Sequence, residues 1–470
     1  MGDLVLGVDI GTTSVKVCLV DSVSRQVTHK QAKDTQANVP SDQGSEGNKQ
    51  DVPKIVSALN SCISRCPKDQ LKRVARVGIC GQMHGVLLWS ERAWEHTSAR
   101  PEVHREGVSA LYTWQDTRCS PAFLSSLPPA QSHLPAYSGY GCPTLFWMAR
   151  HKPEKLEQFC HAGTVQDFVV AMLCDLDRPV MSVQNAASWG YFDTRSGAWN
   201  TDVLEEAGFP VRLLPRVVKP DAIAGKLAES WYGIQAGTPV GAALGDLQCS
   251  VYPNIGPAVA VLNISTSAQL AFVTPDCPVS SPETGNVEYF PYFRDSYLAV
   301  GASLNGGNAL ATFVRTLQQW THELGFNVPQ AKVWECVMAL AENDAAVSTL
   351  RVVPTLLGER HSPEQNATVS NIDPGNLGLG QVFRALCRGL IQNLHRYTRF
   401  VCGLHSFLLW THPRHRNGVG TTTDLREASD ATFVFSSTLL VSLLIPCLAV
   451  SSSSFRYRII ICWCKCTDFS

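Results

Sequence analysis

The sequence has no excess of charge of either sign. Its 470 residues carry 39 Lys and Arg against 40 Asp and Glu, which gives a net charge of −1, and charged residues make up only 17% of the chain. Proteins that bind nucleic acids or other polyanions rely on clustered basic charge, so this balance argues against such partners. The hydrophobic fraction of 45% is that of a globular protein, and the length leaves room for two or three domains.

Signals for export, lipidation and disulfide formation are also missing. The opening MGDLVLGVDIG has no basic region before its apolar run, and Gly2 is not followed by the Ser or Thr of a myristoylation signal. The 17 cysteines are mostly scattered singly among apolar neighbours, as at Cys18, Cys80 and Cys174, which is typical of reduced, buried thiols. We therefore expect a cytoplasmic protein.

The most informative segment that is present reads LVLGVDIGTTSVKVCLVD, residues 4–21. Two apolar runs, 4–10 and 15–20, predict strands on either side of the turn Gly11-Thr12-Thr13-Ser14. Glycine lets the turn approach an anion, the hydroxyls and backbone N–H groups can donate to phosphate, and Asp9 can hold Mg²⁺. The alternative is an ordinary hairpin with a polar turn.

Two further segments combine polar and aromatic side chains at predicted strand ends. Residues 74–80 predict a strand that leads into Gly81-Gln82-Met83-His84-Gly85, with 86–89 as its hairpin partner, and 110–114 predict a strand that leads into Trp114-Gln115-Asp116-Thr117-Arg118. If the second strand persists, Trp114, Asp116 and Arg118 share one face, which suits a polyol with its C–H faces and O–H edges. Core packing of the Trp and a surface Asp–Arg ion pair are the alternatives.

Together these motifs resemble a known family. The D-x-G-T-T-S segment resembles the first phosphate segment of actin-like ATPases, and GICGQMHGVLLW, LYTWQDTRC, QNAASWGYF, GAALGDLQCSVY and NISTSAQLA resemble the FGGY carbohydrate kinases that phosphorylate ketoses. The resemblance runs from about residue 4 to about residue 395. It implies an α/β, two-lobed actin-like ATPase (ribonuclease H-like) fold, with ATP and Mg²⁺ as cofactors and a small sugar as substrate. Chaperones and actins have no need of the sugar-side motifs.

The resemblance also implies roles for individual residues. Asp246, in the Gly245-Asp246 segment, corresponds to the base that accepts the hydroxyl proton; capping a helix N-terminus is its alternative role, and the helix dipole would then favour the ionised carboxylate. Sugar contacts are implied for Gln82, Met83, His84, Trp114, Asp116 and Asp246. Phosphate or nucleotide contacts are implied for Gly11, Thr12, Thr13, Ser14, Thr266, Gly306 and Gly307, and a metal contact for Asp9.

The predicted domains are an N-terminal kinase lobe at 1–255, a partial C-terminal lobe at 256–397 and a tail at 398–470. After a helix predicted at 384–396, a family member would continue to a strand and a Gly-rich turn for adenosine. The candidate Gly418-Val419-Gly420 follows a basic stretch and no apolar strand, so we do not assign it this role. Without the expected layer, Leu386, Leu390 and Leu394 of the predicted helix should be partly exposed.

The sequence of the tail allows three interpretations. Residues 431–450 are an uncharged run about as long as a bilayer span, although one Pro and several Ser and Thr weaken it. Cys462, Cys464 and Cys466 could bind metal or be palmitoylated, but they lack a paired second half with zinc spacing. We favour the third interpretation, that the sequence from residue 398 is foreign to the family. Two functions therefore stay open: an active ketose kinase, and a non-catalytic kinase-like protein without an adenosine site.

Overall fold

The structure is a computed structural model, and it describes residues 2–97, 100–254, 259–264, 266–277, 287–343, 348–362, 364–398 and 458–463. The chain forms two compact units. The first comprises residues 1–253 with 290–297, and the second comprises 254–289 with 298–470.

The first unit contains eighteen strands and nine α-helices among the described residues. The strands are β1 Leu4–Ile10, β2 Ser14–Asp21, β3 Val27–Asp34, β4 Asn38–Val39, β5 Lys49–Gln50, β6 Val74–Gly81, β7 Leu87–Trp89, β8 Trp94–His96, β9 Pro101–Val103, β10 Leu111–Tyr112, β11 His161–Gly163, β12 Val180–Ser182, β13 Phe192–Asp193, β14 Ala198–Trp199, β15 Arg216–Val218, β16 Ile223–Lys226, β17 Pro239–Gly241 and β18 Leu244–Gly245. The helices are α1 Val52–Ser64, α2 Lys68–Leu71, α3 Pro121–Ser125, α4 Gly141–His151, α5 Pro153–Leu156, α6 Val165–Cys174, α7 Val183–Ala187, α8 Thr201–Glu206 and α9 Asp246–Val251.

A seven-stranded mixed sheet organises this unit. Its order is β16-β17-β6-β1-β2-β3, with β18 also paired to β6. The predicted hairpin is confirmed: β1 and β2 are antiparallel with Ile10 opposite Val15, and alternate β1 residues, from Leu4 to Ile10, are buried. This alternation fixes the register, because a slip of one residue would turn the apolar side chains to the opposite face.

Two helices complete the core beside this sheet. In α1 the apolar residues recur at helical spacing and are buried, and the Asp51 side chain caps the first turn by accepting from the Lys54 N–H at 3.0 Å. Helix α6 is buried on all sides and begins with a capping box in which Thr164 and Asp167 hydrogen-bond each other's backbone N–H.

Two predicted strands differ from the structure. Residues 86–89 are not the hairpin partner of β6, because β7 pairs antiparallel with β11, about seventy residues further along the chain. The strand predicted at 110–114 is limited to β10, which ends at Tyr112. The side-chain alternation expected for Trp114, Asp116 and Arg118 therefore does not apply.

The second unit contains a five-stranded sheet and three helices among its described residues. The elements are β19 Val259–Ile264, β20 Ala268–Thr274, β21 Val287–Pro291, β22 Tyr297–Ser303, α10 Gly307–Glu323, α11 Gln330–Asn343, β23 Arg351–Val353, β24 Thr368–Ser370, α12 Leu379–Thr398 and β25 Arg458–Trp463. The sheet order is β21-β22-β20-β19-β25, and β25 lies parallel to β19 with Val259 opposite Arg458. One short segment of the tail is thus a strand of this sheet.

The end of the second unit corrects one expectation. Leu386, Leu390 and Leu394 of α12 are buried rather than partly exposed, at 5%, 2% and 2%. Helix α12 packs against α11, β20 and β23, all of which precede residue 398 in the chain. The apolar run at 431–450, the Gly418-Val419-Gly420 turn, Cys464 and Cys466 lie outside the described residues. Within the described ranges, no helix is long and apolar enough to cross a membrane.

Candidate active site

Three strand ends of the first unit meet at one edge of its sheet. β1 and β18 both run parallel to β6, with Ile10 and Gly245 each paired to Gly81. Because the carboxyl ends of parallel strands lie at the same edge, Asp9, Gln82 and Asp246 are brought together there. More than 200 residues of sequence separate Asp9 from Asp246. Ligands of α/β proteins commonly bind at such an edge.

A glycine at each of two strand ends lets neighbouring atoms approach closely. A Cβ atom on Gly81 would lie 2.8 Å from the carbonyl oxygen of Ile10 and 2.9 Å from Oε1 of Gln166. A Cβ atom on Gly245 would lie 2.3 Å from Oε1 of Gln248 and 2.7 Å from Sδ of Met83. All four distances are shorter than van der Waals contact. A larger residue at Gly81 would have to displace the backbone of Ile10, and one at Gly245 would have to move the side chains of Gln248 and Met83.

Asp9 presents a partly desolvated carboxylate at this edge. Its side chain is 32% exposed and accepts a hydrogen bond from Nζ of Lys16 at 3.3 Å, across the hairpin. Burial raises the pKa of Asp9, and the neighbouring ammonium of Lys16 opposes that rise. A carboxylate that is desolvated and only partly paired suits a hard cation such as Mg²⁺.

Asp246 is the first residue of α9, and the N-cap is Gly245. Oδ1 of Asp246 accepts a hydrogen bond from the backbone N–H of Leu247 at 2.7 Å. Burial raises the pKa of Asp246 to about 7, and the negative charge of Asp9 adds to the rise. Desolvation thus opposes the helix dipole, which favours the ionised carboxylate. A carboxyl group with a pKa near neutrality can both take up and return a proton.

Hydrogen bonds through Gln50 connect the Gly11-Thr12-Thr13-Ser14 turn to Gln82, in the turn at residues 81–85. The Gly11 N–H donates to the Ser14 carbonyl oxygen at 3.0 Å and closes the turn. Nε2 of Gln50 donates to the Thr12 carbonyl oxygen at 2.7 Å, and Nε2 of Gln82 donates to Oε1 of Gln50 at 3.1 Å. Among the described residues, Oε1 of Gln82 has no hydrogen-bond partner, so it is a candidate acceptor for a sugar hydroxyl.

His84 has a backbone conformation that is uncommon for a residue other than glycine. Its φ is +73°, in the left-handed region, where strain is often stored at functional sites. The ring stacks on Tyr140 with centroids 4.3 Å apart, and Nδ1 lies 3.0 Å from the carbonyl oxygen of Ser188. These contacts fix the imidazole beside the Gln82–Met83 turn.

Trp114 and Asp116 have different surroundings. Nε1 of Trp114 donates to Oγ1 of Thr12 at 3.0 Å, which places the indole against the predicted phosphate turn. The Asp116 carboxylate is fully buried: it accepts two hydrogen bonds of 2.7 Å from Arg118 and one of 2.9 Å from the Asn48 N–H. Asp116 and Arg118 therefore form a buried ion pair, not the surface pair that was the alternative, and this pair holds the segment that carries Trp114.

The second unit brings its predicted phosphate residues together independently. The turn containing Thr266 and Ser267 joins β19 to β20, and α10 begins at Gly307. The Asn308 N–H donates to the Thr266 carbonyl oxygen at 3.1 Å, and a Cβ atom on Gly306 would lie 2.3 Å from the backbone of Ser267. Backbone donors at a helix N-terminus favour anions, and here they lie against a hydroxyl-bearing turn. Ser265 lies outside the described residues.

Sequence reasoning missed Gln50, Tyr140 and Ser188. Gln50 is a single glutamine in the two-residue strand β5, so no local pattern distinguishes it. Ser188 belongs to the QNAASWGYF segment, which resembles the family, but the resemblance implies no role for this residue. Within the described ranges, no group of three or more His, Cys, Asp or Glu could hold a metal ion.

The fold is that of the actin-like sugar kinases. The crystal structure of xylulose kinase from Rhodospirillum rubrum superimposes with a TM-score of 0.69 at 17% identity, covering 94% of this chain and 84% of that one. The predicted fold class is therefore confirmed.

Sequence comparison defines the family. Residues 4–252 match the N-terminal domain of the FGGY family of carbohydrate kinases. The chain is 47% identical over 411 residues to sedoheptulokinase of Mus musculus, covering 84% of this chain and 86% of the relative. It is 46% identical over 407 residues to sedoheptulokinase of Homo sapiens, with coverages of 83% and 85%. The chain belongs to the FGGY family of carbohydrate kinases.

Proposed function

We propose that this chain transfers the γ-phosphoryl group of ATP to a ketose, with sedoheptulose as substrate and sedoheptulose 7-phosphate as product. The observation that carries the proposal is Asp246, a desolvated carboxyl group with a pKa of about 7 at the strand-end edge that also holds Asp9. The choice of sedoheptulose rests on the identity of 46–47% to two sedoheptulokinases. The sugar phosphate formed would enter the pentose phosphate pathway.

In the proposed reaction, the primary hydroxyl of the sugar attacks the γ-phosphorus, and Asp246 accepts the hydroxyl proton as the new O–P bond forms. The bond between the γ-phosphorus and the β–γ bridging oxygen breaks, and ADP leaves with that oxygen. General-base catalysis of this kind contributes about 10²- to 10⁴-fold to rates. Most of the remaining acceleration in phosphoryl transfer comes from alignment and charge stabilisation. The Gly11-Thr12-Thr13-Ser14 turn supplies donors for the phosphates in the first unit, and Thr266 and Gly307 supply them in the second. Gly306, whose N–H donates to Asn308, contributes a backbone without a side chain that lets a phosphate approach.

The sugar is held by the side chains around Asp246. Gln82 offers its Oε1 and His84 its imidazole for hydroxyl groups, while Met83 and Trp114 offer apolar surface to the C–H faces. Asp116 has an indirect role: its carboxylate accepts hydrogen bonds from Arg118 and Asn48 and so holds the segment that carries Trp114. This assignment differs from direct sugar contact by Asp116, because both of its carboxylate oxygens already accept hydrogen bonds.

Asp9 is the residue that would hold Mg²⁺. Its carboxylate is partly exposed and has a single charged partner in Lys16, so oxygen ligands from phosphates could complete the coordination that Mg²⁺ requires. When bound, Mg²⁺ neutralises charge on the transferring phosphates.

Replacing Asp9 by Ala should abolish Mg²⁺-dependent nucleotide binding while the fold persists. The hairpin register depends on the apolar residues of β1 and β2, which the substitution leaves in place. Titration calorimetry with MgATP analogue and circular dichroism would measure both properties. Asp3→Ala removes an exposed carboxylate from the same end of the chain and should change neither. Equal MgATP affinity in Asp9→Ala, with an unchanged spectrum, would contradict the assignment.

The substrate assignment is tested by comparing ketoses of different length. We expect kcat/KM for sedoheptulose to exceed the values for xylulose and ribulose, since polyol length is read by the shape of the sugar site. A higher kcat/KM for xylulose or ribulose would show that the chain is a ketose kinase with a substrate other than sedoheptulose.

A non-catalytic, sugar-binding role is the second candidate. It is favoured by the sequence after residue 397, which has no recognisable Gly-rich adenosine turn. Titration of the purified chain with an ATP analogue and with sedoheptulose separates the two functions. Binding of both ligands supports the kinase, whereas sugar binding without nucleotide binding supports the alternative.

A further inference from the structure

Glu359 is a buried carboxylate to which neither the sequence motifs nor the proposed reaction assigns a role. It lies in the connection between β23 and β24 and is 1% exposed. Its Oε1 accepts hydrogen bonds from the hydroxyl of Ser303 at 2.6 Å, from Nδ2 of Asn393 at 2.8 Å and from Nδ2 of Asn305 at 3.1 Å. Its Oε2 accepts from the backbone N–H of Leu304 at 2.9 Å. A buried carboxyl group whose two oxygens both accept hydrogen bonds from several side chains and a backbone N–H does more than fill space, because each of these polar groups had to leave water.

Three of these four donors belong to consecutive residues, 303–305, which lie directly before the Gly306–Gly307 turn. Asn305 reinforces the connection, because its Nδ2 also donates to the Gly358 carbonyl oxygen at 2.8 Å and its Oδ1 accepts from the Leu357 N–H at 3.1 Å. Segments 303–305 and 357–359 are therefore joined by several hydrogen bonds, and each segment donates to the other.

The Leu304 peptide transmits this restraint to the turn. Its N–H is held by Glu359, and its carbonyl oxygen accepts from Nδ2 of Asn308 at 2.8 Å. Oδ1 of Asn308 in turn accepts from the Gly306 N–H at 2.8 Å. The backbone of Gly306 is in tight contact with Ser267, so a shift at Leu304 would displace the junction between the two phosphate segments of the second unit.

We propose that Glu359 is a positioning residue that sets the geometry of the Gly306–Gly307 turn for the phosphates of the nucleotide. The inference rests on the proposed function, because it takes nucleotide as the ligand of this turn. It requires a carboxylate in particular. A glutamine has one amide nitrogen in place of an acceptor oxygen, so either Leu304 or the Ser303–Asn305–Asn393 set would face a donor instead of an acceptor.

The test uses the full-length chain with Glu359→Gln, and Glu364→Gln as matched control. Glu364 is an exposed glutamate of the same connection, so its substitution makes the same change in charge. We expect Glu359→Gln to raise the Kd for MgADP and the KM for ATP by about 10-fold or more, the effect of an acceptor lost from a buried network. The KM for sedoheptulose should change by less than about 2-fold, and Glu364→Gln should behave like the unsubstituted chain.

Amide hydrogen exchange supplies a readout that does not depend on nucleotide. The N–H groups of Leu304 and Gly306 should exchange faster in Glu359→Gln, while those of β19 and β20 keep their protection. A uniform loss of protection across the unit, with nucleotide and sugar constants changed alike, would show a merely structural role and overturn the inference. Unchanged ATP constants in Glu359→Gln would also overturn it. If the unsubstituted chain binds no nucleotide, the proposed function fails, and exchange at Leu304 alone decides whether Glu359 positions the turn.

Discussion

Replacing Asp246 by Asn should lower kcat by about 10²-fold or more and leave sedoheptulose affinity nearly unchanged. The substitution keeps the size of the side chain and one carbonyl oxygen, but it removes the group that accepts the hydroxyl proton. Because the proton moves only in the transition state, the loss should fall on kcat rather than on binding. Steady-state kinetics with saturating ATP, together with calorimetric titration of the sugar, measures both quantities.

Asp202→Asn is the matched control for this prediction. Asp202 is an exposed acid in the first turn of α8, so its replacement makes the same chemical change at a helix start far from the strand-end edge. It should leave kcat within the error of the assay. Turnover in Asp246→Asn close to that of the unsubstituted chain would show that another group, or water, takes the proton.

Replacing Arg118 by Met should destabilise the first unit by about 3–5 kcal/mol, the usual cost of leaving a buried charge without its partner. The Arg118 and Asp116 side chains are 2% and 0% exposed, so water cannot replace the lost guanidinium. The guanidinium also lies over the ring of Tyr112, 4.5 Å from its centroid, and that contact is lost as well. Urea denaturation followed by circular dichroism measures the change in the free energy of unfolding.

Two further variants separate the ion pair from general packing. Arg65→Met, at an exposed position after α1, should change stability by less than about 0.5 kcal/mol. Combining Asp116→Asn with Arg118→Met removes the unpaired charge, so the double variant should be more stable than Arg118→Met alone. A double variant that loses the sum of both single effects would mean that the two side chains do not act as a pair.

The sequence predicted those parts of the fold that depend on local patterns. The β1–β2 hairpin followed from two apolar runs around a turn of glycine and hydroxyl residues, and α12 contains the helix predicted at 384–396. The likeness of separated motifs to the FGGY kinases supplied the fold and the family, because each motif stood in the expected order.

Contacts between distant segments were the part that the sequence could not supply. Strand β7 pairs with β11, and no local feature of residues 86–89 distinguishes that partner from an adjacent hairpin strand. The same holds for Gln50, which connects Thr12 to Gln82, and for Glu359, whose donors come from segments 34 to 56 residues away. Such residues have roles only once the sheet and the helices have assembled.

The leucines of α12 show a related limit. Their exposure was expected because the sequence after residue 397 departs from the family, yet they are buried in a helix that packs on α11, β20 and β23. The elements that cover these leucines all precede α12 in the sequence. Whether the tail contributes to nucleotide binding is then a question of ligand contacts rather than of the stability of α12.

Transfer of labelled phosphate by the purified 470-residue chain tests the central claim most directly. The chain is incubated with Mg²⁺, sedoheptulose and ATP labelled at the γ-phosphate, and the sugar phosphate is separated and counted. The account predicts label in sedoheptulose 7-phosphate, formed in proportion to enzyme and greatly reduced in Asp246→Asn. Binding of sedoheptulose without transfer of label to it or to any other ketose would contradict the account and identify a sugar-binding protein that has lost its kinase activity.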